Sequence, residues 1–224
     1  MDFWYKVITT SFGAYLTLFV HPIHIEGREN LPKGPKIVVA NHTSTTDSFV
    51  LPWIFPEKLH FLVQSELFTL PIAGKVLALA DQIPVFTGRG LEALAAAREK
   101  LSQGKNIALY PEGTLNHGKG LQRAHTGAAR LALQSDAPLV PVGIFSPPKY
   151  THPIRSHLFG RQTLGGWQVG GPCFVHIGEP LHLPREKKIE NSLDAINNLT
   201  DELMLRIDRL VQGAARAFQL MTGD

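Results

Sequence analysis

Short runs of apolar, mostly β-branched residues alternate along this chain with longer stretches whose apolar positions recur every three or four residues. "KIVVA" (36–40), "HFLV" (60–63), "IPVF" (83–86), "NIALY" (106–110), "LVPVGIF" (139–145) and "FVHI" (174–177) have the length and composition of strands. Several are apolar enough to be covered on both faces. The stretches 67–80, 91–104 and 121–135 have the period of helices, the second closing at Gly104. A last amphipathic helix is expected over 192–211, with Leu193, Ile196, Leu199, Leu203, Ile207 and Leu210 on one stripe. This alternation predicts a single α/β domain, a central mostly parallel mixed sheet flanked by helices. Residues 146–172, rich in Pro and Gly, show no clear period and read as a disordered loop or a lid.

The amino-terminal stretch 3–20 breaks this rhythm: it holds six of the chain's nineteen aromatic residues. Lys6, Thr9, Thr10, Ser11 and Thr17 interrupt it, so it makes a poor membrane-spanning helix. No small-residue cleavage site precedes His21-Pro22, which argues against a signal peptide. Two readings remain, a helix lying in a membrane interface or a terminal helix packed on the domain.

Composition narrows the class without choosing a function. With 44% hydrophobic and 18% charged residues, the 224-residue chain is an ordinary globular protein. Its net charge of +3 suits anionic partners only weakly, and nothing in the pattern calls for nucleic acid. A single cysteine, Cys173, excludes an internal disulfide framework and a multi-cysteine zinc site. None of the ten histidines has the helical spacing with Glu of a zinc motif, so no metal is expected.

Chemistry-bearing residues cluster after two of the strands, where α/β sheets gather ligands. Asn41-His42 comes after the first run and Asp47 five positions later; Pro111-Glu112-Gly113 comes after another. A neutral imidazole is a natural general base, and a carboxylate on its other nitrogen sets tautomer and orientation. The plainer alternative is an Asp or Ser capping a helix beside a surface histidine. In "LYPEGTLNHGKG" the spacing Gly113, Gly118, Lys119 approaches a nucleotide-binding loop, but Gly120 stands where a hydroxyl would bind magnesium. Backbone amides around Glu112, Gly113 and Thr114 facing a phosphate or an oxyanion fit better. No nucleophile elbow surrounds Ser44, and Cys173 reads as packed.

Taken together and in order, these blocks resemble the glycerolipid acyltransferase family. "NHTSTTD" looks like its first block, matched at Asn41, His42 and Asp47; "LYPEGTLN" looks like its third, matched at Pro111, Glu112, Gly113 and Thr114. The stretch from His125 resembles the one that follows the third block and ends in the fourth block's Val-Pro-Val at 140–142, and "GEPLHLP" near 180 is similar to the family's C-terminal strand and turn. The likeness covers roughly 20–210. Departures fall where an anionic acceptor would be met. Arg89 comes two residues later than the arginine of the second block, Leu115 replaces an arginine, and His125 a lysine.

The resemblance implies transfer of a fatty acyl group from acyl-CoA or acyl carrier protein to a lysophospholipid hydroxyl, 1-acylglycerol-3-phosphate first. It makes the thioester a co-substrate and calls for no cofactor. His42 would be the general base and Asp47 its orienting carboxylate. Asn41, Arg89, Glu112, Gly113, Thr114, Lys119 and Arg123 would line the substrate site, with Arg130 a further phosphate candidate. Another lyso-lipid acceptor, or a lipid- or carrier-binding protein without turnover, are the alternatives. A bilayer substrate favours an interfacial segment at 1–20 ahead of a domain at 21–224. The expected place is then peripheral or monotopic on the cytoplasmic face of a membrane.

Overall fold

A computed structural model describes residues 3–117, 120–158, 161–183 and 192–223. In chain order the elements are α1 (Phe3–Phe19), β1 (Ile23–Glu26), β2 (Ile37–Ala40), α2 (Asp47–Ile54), β3 (Leu59–Gln64) and α3 (Ala73–Leu79). They continue with β4 (Ile83–Val85), α4 (Gly90–Ser102), β5 (Asn106–Leu109), α5 (Gly127–Leu133) and β6 (Leu139–Phe145). β7 (Thr151–Leu158), β8 (Arg161–Gln168), β9 (Cys173–Ile177) and α6 (Leu193–Thr222) complete the chain.

Seven strands form one sheet in the order β1-β9-β6-β2-β5-β3-β4. The five from β6 to β4 are mutually parallel, β9 runs antiparallel to β6, and β1 pairs parallel with β9. The sheet is therefore mixed and mostly parallel, as its apolar strands require. β2 holds its centre because all four of its residues are apolar and fully buried. Its side chains divide by the two-residue period of a strand. Ile37 and Val39 join a core with α4, α5 and α6, while Val38 and Ala40 join another with α1 and α2. Two helical layers thus cover the sheet, and the carboxyl ends of β2, β5 and β6 open side by side.

The final helix is longer than its 192–211 pattern, running to Thr222, and Leu193 at its start is exposed. It reaches the sheet closely because Gly143 of β6 has no side chain. A Cβ there would lie 2.5 Å from Val211 N and 2.6 Å from Leu210 Cβ. The helix expected over 121–135 begins only at Gly127. The amides ahead of it are spent elsewhere, His125 N on Pro111 O (2.7 Å) and Gln122 N on Glu112 (2.9 Å).

Residues 146–172 are a correction. They carry an antiparallel hairpin, β7 paired with β8 from Thr151–Gln168 to Leu158–Arg161. Gly165 and Gly166 hide its strand period, and they are there for contact. A Cβ at Gly165 would lie 3.1 Å from Thr45 Oγ1, and one at Gly166 3.5 Å from Ser44 Cβ. β1 also escaped the pattern, being a four-residue edge strand.

α1 packs on the domain along one face, as the second reading of the amino terminus has it. Tyr5, Gly13, Leu16 and, just beyond, Val20 are buried, with Tyr5 accepting Leu59 N (3.1 Å) and Gly13 backing onto Trp53. Its other face exposes Phe3 (71%), Trp4 (50%) and Leu18 (76%). Among the described residues no helix is long and apolar enough to cross a membrane.

Candidate active site

β2 ends at Ala40 and hands the chain to Asn41, whose fully buried amide copies a strand pairing. It donates to Ile144 O (2.9 Å) and accepts Ile144 N (2.7 Å), fastening the end of β2 to β6. His42 comes next, at the rim, with its side chain 16% exposed. Its ring lies flat on Tyr110, centroids 3.9 Å apart and planes 9° from parallel.

Asp47, the first residue of α2, is fully buried and faces Nδ1 of His42 at 3.3 Å. A carboxylate there makes Nδ1 the protonated nitrogen and leaves the lone pair on Nε2. The hydroxyl-rich linker is more than helix-start chemistry. Asp47 accepts from Thr43 N (2.7 Å), Ser44 N (2.8 Å), Thr43 Oγ1 (3.2 Å) and Ser44 Oγ (3.0 Å). Those donors meet the cost of burying a charge. Thr45 and Thr46 bond the hairpin: Thr45 N donates to Gly166 O (2.7 Å) and Gln168 N to Thr46 Oγ1 (3.0 Å).

The turn after β5 braces the same loop. Glu112, 3% exposed, accepts His42 N (2.8 Å) and Gln122 N (2.9 Å), and Asn116 Nδ2 at 3.1 and 2.9 Å on its two oxygens. Asn116 N closes the clasp on His42 O (2.8 Å). Glu112 is thus turned into the protein, a brace for the His42 backbone. Gly113 sits at φ 68°, and its amide is given to Tyr110 O (3.1 Å). That amide is not offered to an oxyanion. Thr114 is exposed and bonds Gln122 (3.3 Å).

The basic candidates are more scattered. Arg89 reaches the same rim of the sheet at the start of α4, but β4 is three strands from β2, roughly 14 Å at ordinary strand spacing. Its guanidinium is engaged by Glu92 through Nε and Nη2, both at 2.6 Å, and lies over Phe86. Glu92 holds its pKa above the usual value. Arg123 is exposed beside the Glu112 clasp, and Arg130 on α5 donates to Thr126 Oγ1 (3.0 Å). Lys119, with Gly118, lies outside the described residues. The geometry brings together His42, Asp47, Asn41 and Glu112; Arg89 stands apart.

Tyr110 is the residue that motif reading passed over, although it ends the "NIALY" run directly before Pro111. Burial first, then the nearby Asp47 charge, push its phenol well above the ordinary value, so it remains neutral. Burial likewise pushes the Cys173 thiol up to about 12, leaving it inert. A cleft of about 560 Å³ opens at the opposite, amino-terminal end of the strands. There Asp81, half exposed, is paired with Lys100 (2.6 Å) and lies 3.3 Å from Nε2 of the buried His60. Among the described residues no group of three His, Cys, Asp or Glu is placed to hold a metal ion.

A family model described as acyltransferase matches residues 22–145. The chain is 31% identical over 134 residues to the 1-acyl-sn-glycerol-3-phosphate acyltransferase of Limnanthes alba, covering 58% of this chain and 47% of that one. It is 32% identical over 125 residues to the lyso-ornithine lipid O-acyltransferase of Pseudomonas aeruginosa, covering 55% and 48%. It therefore spans about half the length of these two relatives. The crystal structure of the 1-acyl-sn-glycerophosphate acyltransferase of Thermotoga maritima shares the fold, with a TM-score of 0.69 at 24% identity over 93% of this chain and 78% of that one.

Proposed function

Because the chain belongs to the acyltransferase family, we propose that it moves a fatty acyl group from a thioester, acyl-CoA or acyl carrier protein, to a hydroxyl of 1-acylglycerol-3-phosphate. One observation carries this reading: a partly exposed imidazole at the end of the central strand, stacked on Tyr110 and backed by buried Asp47, with Nε2 left basic. Nε2 takes the acceptor's hydroxyl proton, and the alkoxide attacks the thioester carbonyl. The tetrahedral intermediate expels the thiolate, which recovers the proton from His42, leaving an ester and a free thiol. Direct attack needs no acyl-enzyme, which accords with an inert Cys173. The exposed apolar face of α1 supports a peripheral seat on a membrane surface, which this proposal places on the cytoplasmic side.

A second acceptor class, a lyso-ornithine or other amino lipid, is favoured by the charge pattern. Arg89 is held by Glu92, and Leu115 stands where the resemblance puts an arginine. The relative from Pseudomonas aeruginosa carries that activity in its name. The test is thiol release from palmitoyl-CoA with 1-acylglycerol-3-phosphate, lyso-ornithine lipid, lysophosphatidylcholine or no acceptor. His42→Ala should cost about 10²–10⁴-fold. Near-full activity in His42→Ala refutes the mechanism, and release without any acceptor makes the protein a thioesterase instead.

A further inference from the structure

α1 and the loop that carries the catalytic pair are joined through one phenol. Tyr15, half-buried on α1, donates its hydroxyl hydrogen to Gln168 O (2.8 Å) and lies 3.2 Å from Thr46 Oγ1. Thr46 Oγ1 in turn accepts Gln168 N (3.0 Å). Only one proton assignment satisfies all three contacts: Thr46 gives its hydrogen to Tyr15, Tyr15 to the Gln168 carbonyl, and the Gln168 amide to Thr46. The ring of bonds closes on itself. Burial raises the Tyr15 pKa, with the Thr46 bond partly offsetting it, so the phenol stays a donor.

The position of this ring matters more than its strength. Thr46 is fully buried and directly precedes Asp47, whose carboxylate orients His42. Phe49, two residues beyond Asp47, packs on Phe12 and Tyr15 of α1 and on Trp167 of the hairpin. The hairpin is fixed to α1 a second time where Gly170 N donates to Phe19 O (2.6 Å). The catalytic loop is therefore held from inside by Glu112 and from outside by α1 and β8, and Tyr15 is where the outer elements meet.

We propose that Tyr15 is a positioning residue for the His42–Asp47 pair, tying the geometry of the pair to the seating of α1. The proposal rests on reading His42 as the general base. Tyr15→Phe keeps the ring contacts to Phe49 and Trp167 and removes only the hydroxyl. A displacement of about 1 Å at a reacting group costs as much as 10²-fold, so a drop in kcat of about tenfold or more is expected. KM for palmitoyl-CoA and for 1-acylglycerol-3-phosphate should be unchanged. Thr46→Val breaks the same ring from its other side and also takes the acceptor from Gln168 N, so it should lower kcat at least as much, and the double variant should lose no more than Thr46→Val alone.

Hydrogen exchange of the full chain supplies a readout that needs no turnover. In Tyr15→Phe the amides of 45–49 and of Gln168 should exchange faster while those of β2 and β5 keep their protection. Wild-type kcat and wild-type exchange in Tyr15→Phe would overturn the proposal, as would full additivity with Thr46→Val. A protein with no transferase activity at all would refute the proposed function, and the exchange experiment would still decide whether Tyr15 holds the loop. If one variant fails to fold, the other tests the same ring alone.

Discussion

Replacing Glu112 separates two roles for the acidic residue of the Pro-Glu-Gly turn. Contact with the substrate is what motif reading suggests; bracing the His42 backbone is what the hydrogen bonds describe. Glu112→Ala removes an acceptor from three groups at once: His42 N, Gln122 N and the Asn116 amide. The Asn116 side chain can rotate in response, so the irreducible loss is two backbone donors. An orphaned buried donor costs about 1–3 kcal/mol, which puts the total at about 4 kcal/mol. For a chain of this size that is a fall in Tm of roughly 8–16 °C. Glu112→Gln should cost less, about 1–3 kcal/mol, because one oxygen remains and Asn116 can turn its own oxygen toward the new amide. The assay is urea unfolding of both variants with kcat and KM measured on the same preparations. A brace lowers the unfolding midpoint and kcat together and leaves KM alone. Variants with wild-type stability and a raised KM would refute the reasoning and return Glu112 to the substrate.

Three other outcomes are expected from the geometry. Asp47→Asn should fold and bind yet lose activity by about 10²-fold or more, since an amide no longer selects the Nδ1-protonated tautomer; unchanged kcat would remove Asp47 from the mechanism. Gly143→Ala should destabilise by about 1–3 kcal/mol in urea unfolding, because its Cβ meets the backbone of α6 at 2.5 Å, and a neutral result would mean that helix shifts freely. His60 is buried and its pKa is lowered, so the unfolded chain takes up a proton that the folded one refuses as pH falls below about 6.5. Its contribution is present above that pH and lost below it; His60→Gln should flatten the acid limb of the stability profile, and an identical limb would contradict this.

The parallel core strands were readable because complete burial on both faces leaves an uninterrupted apolar run, as in 37–40 and 139–145. The hairpin was not, because Gly165 and Gly166 exist to let the loop at Ser44 and Thr45 approach, and a glycine chosen for closeness erases the alternation of a strand. Spacing alone left His42 and Asp47 open to a helix-cap reading; the order of the blocks favoured the pair, whose side chains lie 3.3 Å apart. Neither could say that Asn41 and Glu112 spend their side chains on the protein itself, since their partners Ile144 and Gln122 are supplied by the fold. Tyr110 looked like the end of a strand, and only the pairing of β2 with β5 brings it against the imidazole.

The order of strands in the sheet also bears on when the His42–Asp47 site can assemble during synthesis. β2 sits between partners that lie much later in the chain. Asn41 reaches Ile144 across 103 positions, Thr46 reaches Gln168 across 122, and Tyr15 reaches Gln168 across 153. Closing contacts of such separation is slow, and none can form before the distant residue has left the ribosome. At about 5–20 residues per second, His42 and Asp47 emerge many seconds ahead of the strands that hold them. The pair is made early and assembled last, so an unfinished chain carries both chemical groups without a site to use them in.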